Sequence, residues 1–266
     1  MNARDDDDTR YLVPALERGL RVLQMFDRQR GEIGAPDIAR ELALPRSTVF
    51  RLLQTLEYLH CVERTDAGGY RLGPGVLRLG FEYLASLEVT DVARSVVERL
   101  RDETTCSAQL VIRDGQDVVI ILKAAGAGAF SSHVSVGTRL PAHATILGRT
   151  LLAGLTEAEL AEVYPGTALP EAGSPRAPRT LGDLKKLLRE DRARGYTVSE
   201  SFFEQGISAV AAPVRDYGGN VIAAVSVTVQ KPNLDPKEYR ERLVQQVLAA
   251  AADISQRLNY RPAAAA

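Results

Sequence analysis

Residues 36–72 read PDIARELALPRSTVFRLLQTLEYLHCVERTDAGGYRL, and the fold of the whole chain hangs on this stretch. A short helix starts at Pro36 and buries Ile38, Ala39 and Leu42. It stops before Pro45, because a proline disfavours helical backbone in the residue ahead of it. A longer helix runs from Arg46 to Leu59, with Val49, Leu52, Leu53, Leu56 and Leu59 on one apolar stripe. Val62-Glu63-Arg64 and Tyr70-Arg71-Leu72 then alternate as two short strands around the turn sequence Asp66-Ala67-Gly68-Gly69. Helix, proline-marked turn, helix and hairpin together make a winged helix-turn-helix, whose second helix enters a DNA groove.

The outward face of that second helix has the matching chemistry. On a helical wheel Val49 points to the core, and Ser47, Arg51, Gln54 and Tyr58 cluster opposite it. A guanidinium fork, an amide and hydroxyls are the groups that bond to base edges and phosphates in a major groove. Arg46 and Thr48 flank the helix start, where free backbone N–H groups also meet a phosphate. Arg64 and Arg71 lie on the wing strands and are placed to grip the backbone beside the site. The same polar face also suits any soluble helix, so the constellation, not one residue, carries the reading.

Outward from this unit, a helix begins at Pro14 with Leu16, Leu20, Leu23 and Phe26 recurring at helical spacing. Two more helical stretches, Pro74 to about Leu87 and Val89 to Glu103, lead into a different pattern. Ser107 to Arg113 and Val118 to Ala124 read as strands joined by Asp114-Gly115-Gln116-Asp117, Ser131 to Val136 as a third strand and His143 to Leu155 as a helix. Residues Pro165 to Arg179 hold four prolines and two glycines and read as a loop. A helix from Leu181 to Arg194 ends at Gly195, strands Ile207 to Arg215 and Val221 to Val229 follow, and a helix from Pro236 to Leu258 closes the chain. Strand pairs joined by short turns predict an antiparallel sheet with packed helices, so the fold class is α+β.

Length and charge agree with two domains. The chain has 266 residues, 25% charged and 45% hydrophobic, with 33 Lys plus Arg against 34 Asp plus Glu. A net charge of −1 excludes a polybasic carpet, yet residues 10–78 hold eleven arginines and eight acidic residues, so the basic face is local. Cys61 and Cys106 form no CxxC pair, and His60, His133 and His143 stand too far apart in sequence to suggest a ligand cluster, so neither metal nor cofactor is expected. Asp5 to Asp8 stand where a secretory signal would need an apolar core, and the longest branched apolar run, Val118 to Leu122, falls far short of a membrane span. A cytoplasmic protein with no membrane partner is the expectation.

The stretch Val13-Pro-Ala-Leu-Glu-Arg-Gly-Leu-Arg-Val-Leu, the run Leu44-Pro-Arg-Ser-Thr-Val-Phe-Arg-Leu-Leu-Gln-Thr-Leu and the wing ending Gly69-Tyr-Arg-Leu-Gly resemble the DNA-binding domain of the IclR family of bacterial regulators. Leu140-Pro-Ala-His-Ala-Thr-Ile-Leu-Gly-Arg-Thr-Leu-Leu-Ala, Arg194-Gly-Tyr and Gly206-Ile-Ser-Ala-Val-Ala-Ala-Pro-Val resemble its effector-binding domain. The resemblance implies a winged helix-turn-helix over residues 11–75, a linker helix over 76–89 and a GAF-like sensing domain over 90–260, assembled as a dimer or dimer of dimers. It also implies a double-stranded operator as partner and a small carboxylic or aromatic acid as effector. Carried over by position, the effector pocket is lined by Ala129, Ser132, Ile146, Leu147, Ser199, Glu200, Ile207, Ala209, Ser226 and Thr228. Ser226 and Thr228 alternate on one strand and so face the same side. Where some relatives have an acid and a cysteine, this chain has Ser199 and Ala209, so the ligand does not transfer from them.

Two points stay open at this level. His143 either donates to a carboxylate effector or caps the helix beginning near it, with the cap preferred. A small-molecule hydrolase using Ser131, His143 and Glu200 is the alternative to a regulator, although no Gly-x-Ser-x-Gly elbow surrounds a serine.

Overall fold

The computed structural model describes residues 12–27, 30–86, 88–126, 134–172, 174, 176–201 and 205–261, and its contacts divide the chain into two units, Met1–Ser86 and Leu87–Ala266. In the first unit α1 (Pro14–Gln24) opens on a proline, at a position that needs no N–H. The expected stripe on this helix is corrected: Leu16 and Leu20 are exposed, while Gly19, Val22 and Phe26 turn to the core and Leu23 is half-buried. The cause is the glycine. A Cβ at Gly19 would lie 4.0 Å from Leu52, so the helices approach closely along the line through residue 19 and leave Leu16 and Leu20 on the flank.

Helix α2 (Ala35–Glu41) buries Ile38 completely and Ala39 and Leu42 in part. Ala43 adopts left-handed backbone at φ 51, and the turn closes through the Leu44 N–H donating to the Ala39 carbonyl at 3.0 Å. Pro45 is extended and launches α3 (Arg46–Tyr58), which buries Val49, Leu53 and Leu56. The helix stops one residue earlier than its spacing predicts, so Leu59 is exposed rather than part of the stripe. Strands β1 (Val62–Arg64) and β2 (Tyr70–Leu72) pair antiparallel, with Glu63 opposite Arg71 and Gly68 at φ +83 in the turn. Ile33 exchanges two backbone hydrogen bonds of 2.9 Å with Tyr70 and ties this wing to the segment before α2. Helix α4 (Gly75–Ser86) follows.

In the second unit, after α5 (Glu88–Thr104), come β3 (Ser107–Asp114), β4 (Asp117–Ala124), β5 (Arg139–Pro141), β6 (Thr197–Glu200), β7 (Ser208–Arg215) and β8 (Val221–Val229). They form one antiparallel sheet in the order β5-β4-β3-β8-β7-β6. Helices α5 and α9 (Lys237–Arg257) cover one face, and α6 (Ile146–Leu152) covers the other. Helix α7 (Glu157–Val163) starts at a Thr156/Glu159 capping box, and α8 (Leu181–Arg194) packs on α6 and ends at Gly195 in left-handed backbone.

Two expected elements shift. Of the strand expected at Ser131 to Val136, residues 131–133 lie outside the described residues, and 134–136 are not strand. Gly137 at φ +86 makes a turn there, and the strand begins at Arg139. The helix expected from His143 runs only from Ile146 to Leu152, because 142–144 form a 3-10 turn and Thr145 is the cap, its hydroxyl accepting from the Gly148 N–H at 3.1 Å. Gly148 is required there, since a Cβ would meet the Ala142 carbonyl at 2.1 Å.

A buried ion pair fixes α6 to α8. Arg149 donates to Asp191 through Nε and Nη2 at 2.8 Å each, both side chains are almost wholly buried, and Arg194 adds a third donor at 2.6 Å. Such a fork is strongly held because removing one partner strands the other charge, at a cost of about 3–5 kcal/mol.

Candidate functional site

The exposed side of α3 carries Arg46, Ser47, Arg51, Gln54 and Tyr58, with Thr48 half-buried at its first turn. Arg51, Gln54, Thr55 and Tyr58 line a shallow groove. No side chain caps the helix at Pro45, so its first backbone N–H groups remain available to an anion. Charge in this unit is sorted. Arg21, Arg30, Arg40 and Arg71 pair with Glu17, Glu41, Asp37 and Glu63, whereas Arg46, Arg51 and Arg64 have no ion pair among the described residues. Three guanidinium groups without an ion pair thus sit on the helix and the wing, and Arg18 on α1 and Arg78 on α4 are likewise without one among the described residues. Arg71 differs from the expectation in being held by Glu63 at 2.8 Å, an exposed bridge of the kind worth only about 0–1 kcal/mol.

In the second unit, pairing across the sheet brings distant residues into rows. Ser199 stands opposite Ala209, Ala209 opposite Thr228 and Thr228 opposite Ser107. The next row on the same face runs Thr197, Ala211, Ser226, Gln109 and Lys123. Helix α6 packs on this side, and Ile146, Leu147 and part of Ala209 join its apolar cluster. At the same level the other face is apolar, with Val210, Val227 and Ala108 in one row and Ala212, Val225 and Leu110 in the next.

Pairing within these rows is uneven: the Thr150 hydroxyl donates to the Thr197 hydroxyl at 2.9 Å, and the Gly126 N–H donates to the Ser107 hydroxyl at 3.1 Å. Ser226 is 1% exposed and its hydroxyl has no partner. Gln109 is 3% exposed, and neither its carboxamide nor the hydroxyls of Ser199 and Thr228 take a hydrogen bond among the described residues. Lys123 donates to the Val134 carbonyl at 2.6 Å and adds the one lysine of this face among the described residues. Gln109 and Lys123 were not expected from the sequence; the alternation of Ser107 and Gln109 on β3 is a signal for the first, while Lys123 follows five apolar residues on β4 and gives none.

Glu200 is corrected. Adjacent residues in a strand face opposite ways, so it turns from Ser199 to the other side, where its carboxylate accepts from the Leu234 N–H at 3.3 Å and pairs with Arg240 at 3.7 Å. Ile207 is half-buried just before β7, two residues from Ala209. Ala129 and Ser132, expected to line the pocket, lie outside the described residues.

A winged helix-turn-helix with unpaired arginines on its second helix is the construction of a DNA-binding regulator. The family model of the IclR helix-turn-helix domain matches residues 15–66, and that of the bacterial transcriptional regulator IclR C-terminal domain matches residues 81–256. The Pca regulon regulatory protein of Pseudomonas putida is 34% identical over 250 residues, covering 92% of this chain and 84% of that protein. The transcriptional regulator XynR of Escherichia coli is 32% identical over 256 residues, covering 94% and 98%. The crystal structure of an IclR homolog complexed with 4-hydroxybenzoate, from Microbacterium hydrocarbonoxydans, superposes with a TM-score of 0.78 at 29% identity, covering 92% of this chain and 98% of that one. The chain belongs to the IclR family of DNA-binding transcriptional regulators, and its relatives are named as regulators and repressors, not enzymes. The hydrolase alternative falls with that assignment. No helix among the described residues is long and apolar enough to cross a membrane, and no group of three candidate metal ligands occurs among them.

His143 has a structural place rather than the capping role expected of it. It is 2% exposed, its Nε2–H donates to the Pro170 carbonyl at 3.0 Å, and its ring meets Tyr164 edge-on at 5.9 Å. Nδ1 has no partner, so the neutral ring is the form that fits. Burial holds the imidazole below its ordinary value, against the Pro170 carbonyl and the Asp117 charge. A depressed histidine stabilises the fold fully above about pH 6.5 and loses that contribution as pH falls through the folded value. The melting temperature of the chain should therefore drop between about pH 7.5 and pH 5 more steeply than that of His143→Gln. Equal slopes in thermal melts would contradict this account of the loop anchor.

Proposed function

We propose that the chain binds an imperfectly palindromic operator as a homodimer or dimer of dimers and that a small organic acid, carboxylic or aromatic, changes that binding. Two-fold symmetry sets a pair of recognition helices about 34 Å apart, one helical turn of DNA. In this reading Arg51 and Gln54 contact base edges, and Arg46, Ser47, Thr48 and Arg64 contact phosphates. Arg71 joins them by exchanging Glu63 for a phosphate. The site of action is the cytoplasm, where the DNA lies.

The observation that supports the sensing half is the buried Ser226 hydroxyl without a partner, with Gln109 opposite it in the sheet. Ile146, Leu147, Ile207 and Ala209 supply apolar walls, and Ser199, Ser226, Thr228 and Gln109 supply donors and acceptors, a mixture suited to an apolar body with one or two oxygen-bearing ends. The homolog bound to 4-hydroxybenzoate has a ligand of that kind. An effector acts only to the extent that its affinities for the DNA-competent and DNA-incompetent arrangements differ.

Two measurements test this reading. In titrations of promoter fragments, Arg51→Ala should lose about 1–3 kcal/mol on specific sequence, while Arg64→Ala should weaken all sequences alike and flatten the salt dependence. Unchanged affinity in Arg51→Ala would reverse the proposed orientation of α3. In a thermal-shift screen of aromatic and short aliphatic acids, a ligand at 100 times its Kd should add about 2.7 kcal/mol of stability. Gln109→Leu should keep the melting temperature and lose the shift; an equal shift in the variant would remove Gln109 from the site.

A further inference from the structure

The exposed side of α3 is not wholly polar. Phe50 is 53% exposed, and it is absent from the apolar cluster that Val49, Leu53 and Leu56 of the same helix help to build. Residues four apart on a helix stand one above the other. Arg46, Phe50 and Gln54 thus form one ridge, beside a second that runs through Ser47 and Arg51. An aromatic ring lies between a guanidinium group and a carboxamide, one turn from the helix start, and it is the amino-terminal part of a recognition helix that reaches base edges.

The chemistry of the groove limits what this ring can meet. Base edges in the major groove present donors and acceptors, and the one apolar group among them is the C5 methyl of thymine. A carboxamide that reads adenine gains nothing from a phenyl neighbour, and a guanidinium on a phosphate gains nothing either, whereas a thymine beside that adenine does. We infer that Phe50 is a specificity-determining residue whose ring packs on a thymine methyl in each half-site. This rests on the DNA-binding reading above and adds to it the identity of one base.

The test uses the full chain and duplexes selected by it from a random-sequence pool. Each thymine of the selected site is replaced in turn by deoxyuridine, which keeps every hydrogen bond and removes only the methyl. One thymine in each half-site should lose about fourfold in affinity on replacement, the two losses multiplying across the palindrome. Phe50→Ala should bind the thymine and uracil duplexes equally, Phe50→Leu should keep part of the preference, and both should melt as the parent does. If every uracil duplex binds the parent chain undiminished, or if Phe50→Ala still discriminates, the assignment of Phe50 is overturned while DNA binding stands. If no duplex is selected at all, the DNA-binding reading fails and this one with it.

Discussion

A hydroxyl buried without a hydrogen-bond partner costs roughly 1–3 kcal/mol, and a folded domain does not keep such groups together without compensation. The second unit keeps one such hydroxyl, that of Ser226, in the middle of its sheet, opposite Gln109 and one row from Ser199 and Thr228. The strands that carry them are apolar on their other face, where Val225, Val227, Val210 and Leu110 pack under α5 and α9. One side of the sheet supplies cohesion, and the other is the side on which the proposed effector would sit. On that proposal a ligand would contribute to stability, and through stability to the balance between conformations.

The same economy governs charge in the first unit. Its acidic residues pair with Arg21, Arg30, Arg40 and Arg71, and leave Arg46, Arg51 and Arg64, with Arg18 and Arg78, without an ion pair among the described residues. Exposed pairs of this kind contribute little stability, so their consequence is the placing of net positive charge. Nucleic-acid affinity depends on that placing more than on the charge of the chain as a whole, which is −1.

Much of this architecture is legible in the sequence wherever neighbours in space are neighbours in the chain. Pro45, Gly68 and the spacing of Val49, Leu53 and Leu56 mark the helix-turn-helix and its wing without further help. Reading fails where a distant contact decides. Leu16 and Leu20 carry the stronger apolar period on α1, but Gly19 is where the helix meets Leu52. Thr145 displaces His143 as cap because Gly148 lets the chain turn tightly over Ala142. Among site residues, strand alternation is enough to put Ser226 and Thr228 on one face. It also separates Glu200 from Ser199, since neighbours on a strand face opposite sides, which a resemblance taken position by position does not register. Gln109 and Lys123 join Ser226 only through a register between β3 and β8, more than a hundred residues apart, that no local pattern encodes.

The account depends most on the polar rows being a socket. A crystal structure of the chain with an acid that raises its melting temperature tests this directly: an oxygen of the bound acid should lie within hydrogen-bond distance of the Ser226 hydroxyl and the Gln109 carboxamide. An acid seated elsewhere, with both groups bonded only to the protein's own side chains, would contradict it.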